Sequence, residues 1–132
     1  MVAGTHGSTY GGNPLSMAAS SAVLDVVANE AFLAQVRAMG ETLRARMEQF
    51  IGNYPDLFSE VRGRGLLLGL KLKFEPRGFV AHLRDNHQLL TVSGGDQTMR
   101  VVPPLVIDES HIDEFMEKLS AGAASFDPEK VA

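Results

Sequence analysis

One apolar stripe constrains this chain more than any other feature. Phe32, Val36, Met39, Leu43, Met47 and Phe50 recur at steps of three and four, which places them on one side of a helix over about residues 30–51. The opposite side carries Arg37, Glu41, Arg44, Glu48 and Gln49. A helix divided in this way needs another layer to cover its apolar side. No extended heptad repeat follows, so the spacing points to a helix lying on a core rather than to a coiled coil. Gly52-Asn53-Tyr54-Pro55 ends it.

The covering layer follows directly. Residues 58–61 read as a short strand. Residues 66–74 (LLLGLKLKF) begin apolar and then alternate at Lys71 and Lys73, as a strand does when it is buried at its start and half exposed at its end. Arg62-Gly-Arg-Gly65 between them reads as a solvated turn, the alternative being two arginines around a glycine that hold an anion. Pro76 opens a helix with Phe79, Val80, Leu83 and His87 facing inward. Residues 89–92 and 98–102 read as strands around a Ser93-Gly-Gly-Asp96 turn, and Pro103-Pro104 stops the second. Asp108 or Ser110 caps a last helix that buries Ile112, Phe115, Met116 and Leu119. The expected class is α+β, a short antiparallel or mixed sheet packed against helices. Expected boundaries are an arm and linking helix over 1–28, a compact small domain over 29–126 and a frayed tail over 127–132.

The arm has its own chemistry. Gly4-Thr-His-Gly-Ser-Thr-Tyr-Gly-Gly-Asn-Pro14 runs into an alanine-rich helix, with Asn13 as N-cap and Pro14 at the first helical position. Ser8 and Thr9 offer hydroxyls, and the glycines free backbone N–H groups, a donor set that suits a phosphate. The loop lacks the Lys-Ser/Thr ending of a P-loop and is not GxGxxG. A plain loop ahead of a helix remains the alternative.

Composition narrows the chemistry further. With no cysteine in 132 residues, disulfides, thiolate metal sites and cysteine nucleophiles are excluded. Twelve basic and sixteen acidic residues are interspersed, so no nucleic-acid or membrane surface is indicated. The expectation is a soluble cytoplasmic protein. The four histidines show no helical ligand spacing, so no metal is expected. No GxSxG is present, and Lys71, Lys73, Lys118 and Lys130 lie on strand ends, a helix and the tail, none in an apolar pocket sequence suited to Schiff-base chemistry. Arg100 stands out, a cation amid the apolar run Met99-Arg-Val-Val-Pro-Pro-Leu105. It needs water, an acidic partner or an anionic ligand, and its planar fork matches a carboxylate.

Three ordered segments resemble one family. His6-Gly-Ser-Thr-Tyr-Gly-Gly-Asn-Pro-Leu15 is similar to the HGSTFGGNPL loop of class III (ornithine-type) pyridoxal-phosphate aminotransferases. Val61-Arg-Gly-Arg-Gly-Leu-Leu-Leu-Gly-Leu70 is similar to their RGxGLLxGL segment. Ser93-Gly-Gly-Asp-Gln-Thr-Met-Arg-Val-Val-Pro-Pro-Leu105 resembles their AGDNVVRLLPPL segment. Within the family, Leu90-Thr-Val92 and the Gly95-Asp96 to Arg100 run are most similar to the branch that acts on N-acetylornithine.

The resemblance implies the small C-terminal domain of a fold type I aminotransferase. It implies pyridoxal phosphate as cofactor, amino-acid and 2-oxo-acid substrates, and a homodimer whose sites lie at the subunit interface. It assigns Thr9, with Ser8 beside it, to the cofactor phosphate of the neighbouring subunit, and Arg100 to the substrate α-carboxylate. It gives Arg62 and Arg64 no catalytic role. The family's Schiff-base lysine lies upstream of the HGST loop, so no catalytic residue is expected in this chain. With Met1 directly ahead of the loop, the expectation is a truncated form that alone neither binds the cofactor nor transaminates. Ornithine, 4-aminobutyrate or succinyldiaminopimelate transamination is the alternative, and a non-catalytic assembly module is another.

Overall fold

A computed structural model describes residues 7–128. Gly4, Thr5 and His6 of the arm, and Lys130 with most of the expected tail, lie outside the described residues. The chain divides into two compact units, residues 1–35 and 36–132.

The first unit holds helix α1 (Pro14–Val27) and the start of α2 (Glu30–Asn53). Asn13 caps α1 as its type suggests, its side chain accepting from the Ser16 N–H at 2.9 Å. Asn29 does the same for α2, accepting from Ala31 N–H at 2.9 Å and Phe32 N–H at 3.2 Å. No residue of α1 is buried, and Leu15, Val23, Leu24 and Val26 are all more than half exposed.

The second unit continues α2 into β1 (Phe58–Arg64), β2 (Leu67–Leu72), α3 (Pro76–His87), β3 (Val92–Ser93), β4 (Thr98–Val101) and α4 (Glu109–Ser125). The strands form one antiparallel sheet in the order β1-β2-β4-β3. The α+β expectation is met. Side chains alternate across a strand, so Leu68, Leu70, Leu72, Met99 and Val101 share one face and are all buried. Leu43, Met47 and Phe50 of α2, Phe79 and Leu83 of α3, and Ile112, Met116 and Leu119 of α4 complete that core. The helices thus cover one sheet face, and the other face stays open to a ligand. The α2 stripe is buried only in its second half, because Val36 and Met39 lie at the edge of the core.

Two local devices differ from the sequence reading. The 62–65 segment is not a turn: β1 runs to Arg64, and the reversal is the pair Gly65-Leu66, with Gly65 at φ 56 as a tight hairpin's first position prefers. Gly63 sits inside the strand at φ 106, where a Cβ would stand 2.1 Å from the Leu67 carbonyl oxygen. Gly40 of α2 rests on this hairpin, its absent Cβ 2.8–2.9 Å from the Gly65 backbone. The second difference is β3, which is only two residues long. Leu89 is still tied to α3, its N–H donating to the Leu83 carbonyl at 3.1 Å, and strand pairing begins only at Val92.

Asp108 caps α4. Its Oδ1 accepts from Ser110 N–H at 3.0 Å, the Ser110 hydroxyl at 2.6 Å and His111 N–H at 3.2 Å. These hydrogen bonds, Ser110 first and then His111, lower its pKa to about 2. A carboxylate whose folded pKa is depressed adds stability that is complete above its unfolded value and is lost as pH falls through the folded one. Asp108→Ala is therefore expected to lower the Tm by a few degrees at neutral pH. The difference from the parent closes as pH falls from about 4 toward about 2. Thermal melts of both proteins across that range check it.

Candidate functional site

The open face of the sheet gathers the residues of interest. The register aligns Arg62 of β1 with Gly69 of β2, Gly69 with Arg100 of β4, and Arg100 with Val92 of β3. All four lie on one row across the sheet. Because Met99 and Val101 point into the core, Arg100 between them must point outward, and it is exposed. Strands stand about 4.8 Å apart, so Arg62 and Arg100 flank β2 with backbones about 10 Å apart. Gly69 lets the Thr98 side chain lie over the middle of the row: a Cβ there would stand 2.6 Å from Thr98 Cγ2. The result is an open trough of about 430 Å³ lined by Arg62, Gly69, Thr98 and Arg100, with Leu67 on its edge.

The two arginines are in opposite states. Arg62 is fully engaged, its Nε donating to Glu60 Oε1 at 2.6 Å and its Nη1 to Asp96. Asp96 also takes Lys71 Nζ at 3.1 Å on both oxygens. Asp96, and Glu60 after it, hold the Arg62 guanidinium pKa above its ordinary value. Arg62 and then Lys71 hold the Asp96 carboxyl below its own. Arg100 has no hydrogen-bond or ion-pair partner among the described residues, and its stem crosses Gly94, where a Cβ would stand 2.8 Å from Arg100 Nε. It is a planar cation in a trough, on a rigid strand, with its hydrogen-bonding capacity unspent. Such a group can grip a carboxylate in bidentate fashion.

Ser8 and Thr9 belong to the first unit. Both are exposed, at the start of a compact turn closed by Gly11 N–H to Ser8 O at 3.2 Å and Asn13 N–H to Tyr10 O at 3.3 Å. Gly12 takes φ 78, and space around it is open. Two exposed hydroxyls on a glycine turn fit contacts to a phosphate group. The helix end beside them contributes less than the sequence suggests, because Asn13 already serves Ser16 N–H. Among the described lysines, Lys71 pairs with Asp96 and Lys118 with Glu114, and Lys73, just past the end of β2, is exposed.

Arg100 was legible as a candidate because a cation interrupts an apolar strand. Gly94, Gly69 and Asp96 were not. Their only advance signal is the Gly94-Gly95-Asp96 run ahead of the arginine's strand.

Comparison with known proteins identifies the family and the fold. The sequence matches the aminotransferase class-III family over residues 1–122. It is 43% identical over 127 residues to the acetylornithine aminotransferase of Rhodobacter capsulatus, covering 96% of this chain and 32% of that protein. The fold superposes on acetylornithine aminotransferase from Elizabethkingia anophelis with a TM-score of 0.78, 31% identity, and coverage of 96% of this chain and 32% of the other. Plasmodium falciparum ornithine δ-aminotransferase gives the same TM-score of 0.78 at 30% identity, with coverage of 96% and 32%. The chain spans about a third of the length of the curated relatives it matches. With a match across residues 1–122, relatives above 40% identity and the same sheet-and-helix arrangement, this chain belongs to the class III aminotransferases.

Proposed function

We propose that this chain forms the C-terminal portion of an enzyme that moves the amino group of N-acetylornithine to 2-oxoglutarate, a step toward arginine. The observation that carries the reading is Arg100, a guanidinium without a partner among the described residues, on the open sheet face of a chain whose relatives include acetylornithine aminotransferases. Arg100 binds the α-carboxylate of each amino acid and 2-oxo acid in turn and fixes the reacting carbon relative to the cofactor. Ser8 and Thr9 donate to the phosphate of pyridoxal phosphate across a homodimer interface, and the arm over 1–28 and the small domain over 29–126 act as separate parts of that enzyme. When bound, the cofactor supplies the electron sink for the reaction. The proton-transferring lysine is furnished by the remainder of such an enzyme, so the 132-residue chain alone is inactive and does not retain the cofactor. The enzyme works in the cytoplasm.

The test is a panel of amino donors with the full-length enzyme and 2-oxoglutarate. N-acetylornithine is expected to give the highest kcat/KM, by about tenfold or more over ornithine, 4-aminobutyrate and succinyldiaminopimelate, because the donors differ in groups that a polar site discriminates strongly. A higher value with any of the other three contradicts the donor assignment. Equilibrium dialysis of the 132-residue chain with pyridoxal phosphate checks the second part, and stoichiometric retention would contradict it.

A further inference from the structure

Arg62 has no place in the reading above, yet the structure ties it to Arg100 through a short chain of contacts. Its guanidinium bridges Glu60 on its own strand and Asp96 on the β3–β4 loop, and Lys71 of β2 holds the same Asp96. That loop turns through left-handed backbone at Asp96 and Gln97, with φ of 54 and 52. Residues with side chains rarely adopt this region, so the surrounding contacts have to hold the turn. Within the loop, Thr98 Oγ1 donates to Asp96 O at 3.1 Å and Gly94 N–H donates to Thr98 O at 2.7 Å. Gly94 is the surface on which Arg100 lies: a Cβ there would stand 2.8 Å from Arg100 Nε and 3.4 Å from its Cγ. Two strands therefore grip Asp96, Asp96 anchors the loop, and the loop carries the floor beneath Arg100.

We infer that Arg62 and Asp96 are positioning residues, which with Lys71 fix the 94–97 loop and so aim the Arg100 guanidinium at the substrate carboxylate. The inference rests on the reading that Arg100 binds that carboxylate. The charge arithmetic supports it. Arg62 and Lys71 are balanced by Glu60 and Asp96, so these four groups compete little for an incoming anion and leave Arg100 as the cation in the trough. The pairs are exposed, and exposed pairs contribute little to stability, so their loss should register in binding geometry rather than in melting temperature.

The experiment measures binding of glutarate, a dicarboxylate that cannot react, together with KM and kcat for 2-oxoglutarate, in the full-length holoenzyme. Asp96→Asn and Arg62→Gln are each expected to weaken glutarate and raise KM roughly five- to tenfold, as for coupled neighbours, with kcat and Tm little changed. Arg62→Lys, which can still reach Asp96, restores most of the affinity. In an Arg100→Lys background the Asp96→Asn effect shrinks below about twofold, because the aimed group is already gone. Gly94→Ala, which lifts the floor directly, gives the same rise in KM. Unchanged glutarate binding in Asp96→Asn and Arg62→Gln, beside a strong defect in Arg100→Lys, overturns the clamp and leaves the role of Arg100 standing. An undiminished Asp96→Asn effect in the Arg100→Lys background also overturns it, since Asp96 would then act by another route. No defect in Arg100→Lys overturns the underlying reading itself.

Discussion

Arg100→Ala in the full-length enzyme is expected to lower kcat/KM for both proposed substrates, the amino acid and the 2-oxo acid, by about 30- to 1,000-fold, the cost of removing one partner from a desolvated charged contact. The size follows from what the side chain offers. The trough presents a fork whose donors are unspent, so a carboxylate entering it meets a bidentate partner at no cost of breaking another pair. Arg100→Lys keeps the charge but not the fork, and an intermediate loss is expected because Lys acts as a point charge. The loss should fall on both half-reactions, since both substrates carry the α-carboxylate. Steady-state kinetics with each substrate varied in turn reads this directly. An unchanged kcat/KM for both removes Arg100 from the site.

Phe79→Ala has the largest expected effect on stability. Phe79 is fully buried and touches three other rings: Phe58 at 5.7 Å, Phe74 at 6.4 Å and Phe126 at 4.9 Å between centroids. It therefore joins β1, the end of β2, α3 and the exit of α4 in one cluster. Truncating a buried phenylalanine to alanine costs about 3–5 kcal/mol in lost transfer energy and cavity formation. Domains of this size hold only about 5–15 kcal/mol in all. The Tm should fall by roughly 10–20 °C, and Phe79→Leu, which keeps most of the volume, should recover much of it. Thermal and urea unfolding monitored by circular dichroism checks both. A Tm within a few degrees of the parent for Phe79→Ala would show that the ring cluster does not hold the helices to the sheet.

Much of the architecture was readable from local chemistry. Asn13-Pro14, Pro76 and Asp108 mark helix starts for reasons of capping and fixed φ, and each helix begins where they stand. The α2 stripe announced a covering layer, and the alternation in LLLGLKLKF gave the buried side of β2. What failed did so where tertiary contact overrides a local signal. Glycines at 63 and 65 suggest a turn over 62–65, yet Gly63 is in β1 because the strand passes too close to Leu67 for any Cβ. Residues 89–91 have strand composition, but Leu89 remains tied to the end of α3 and pairing begins only at Val92. At the site, Arg100 announces itself by sitting in an apolar strand. Its floor at Gly94 and the Arg62–Asp96 bond depend on residues brought together across three strands, and no spacing in the sequence encodes that.

If Arg100 holds a substrate carboxylate on the open sheet face, the contact is visible in a complex. A crystal structure of the full-length holoenzyme with glutarate bound tests it most directly. One glutarate carboxylate is expected in the trough, with two guanidinium nitrogens of Arg100 about 2.7–2.9 Å from its oxygens. A fully occupied glutarate whose carboxylates are both held by other residues, with Arg100 left in solvent, would contradict it.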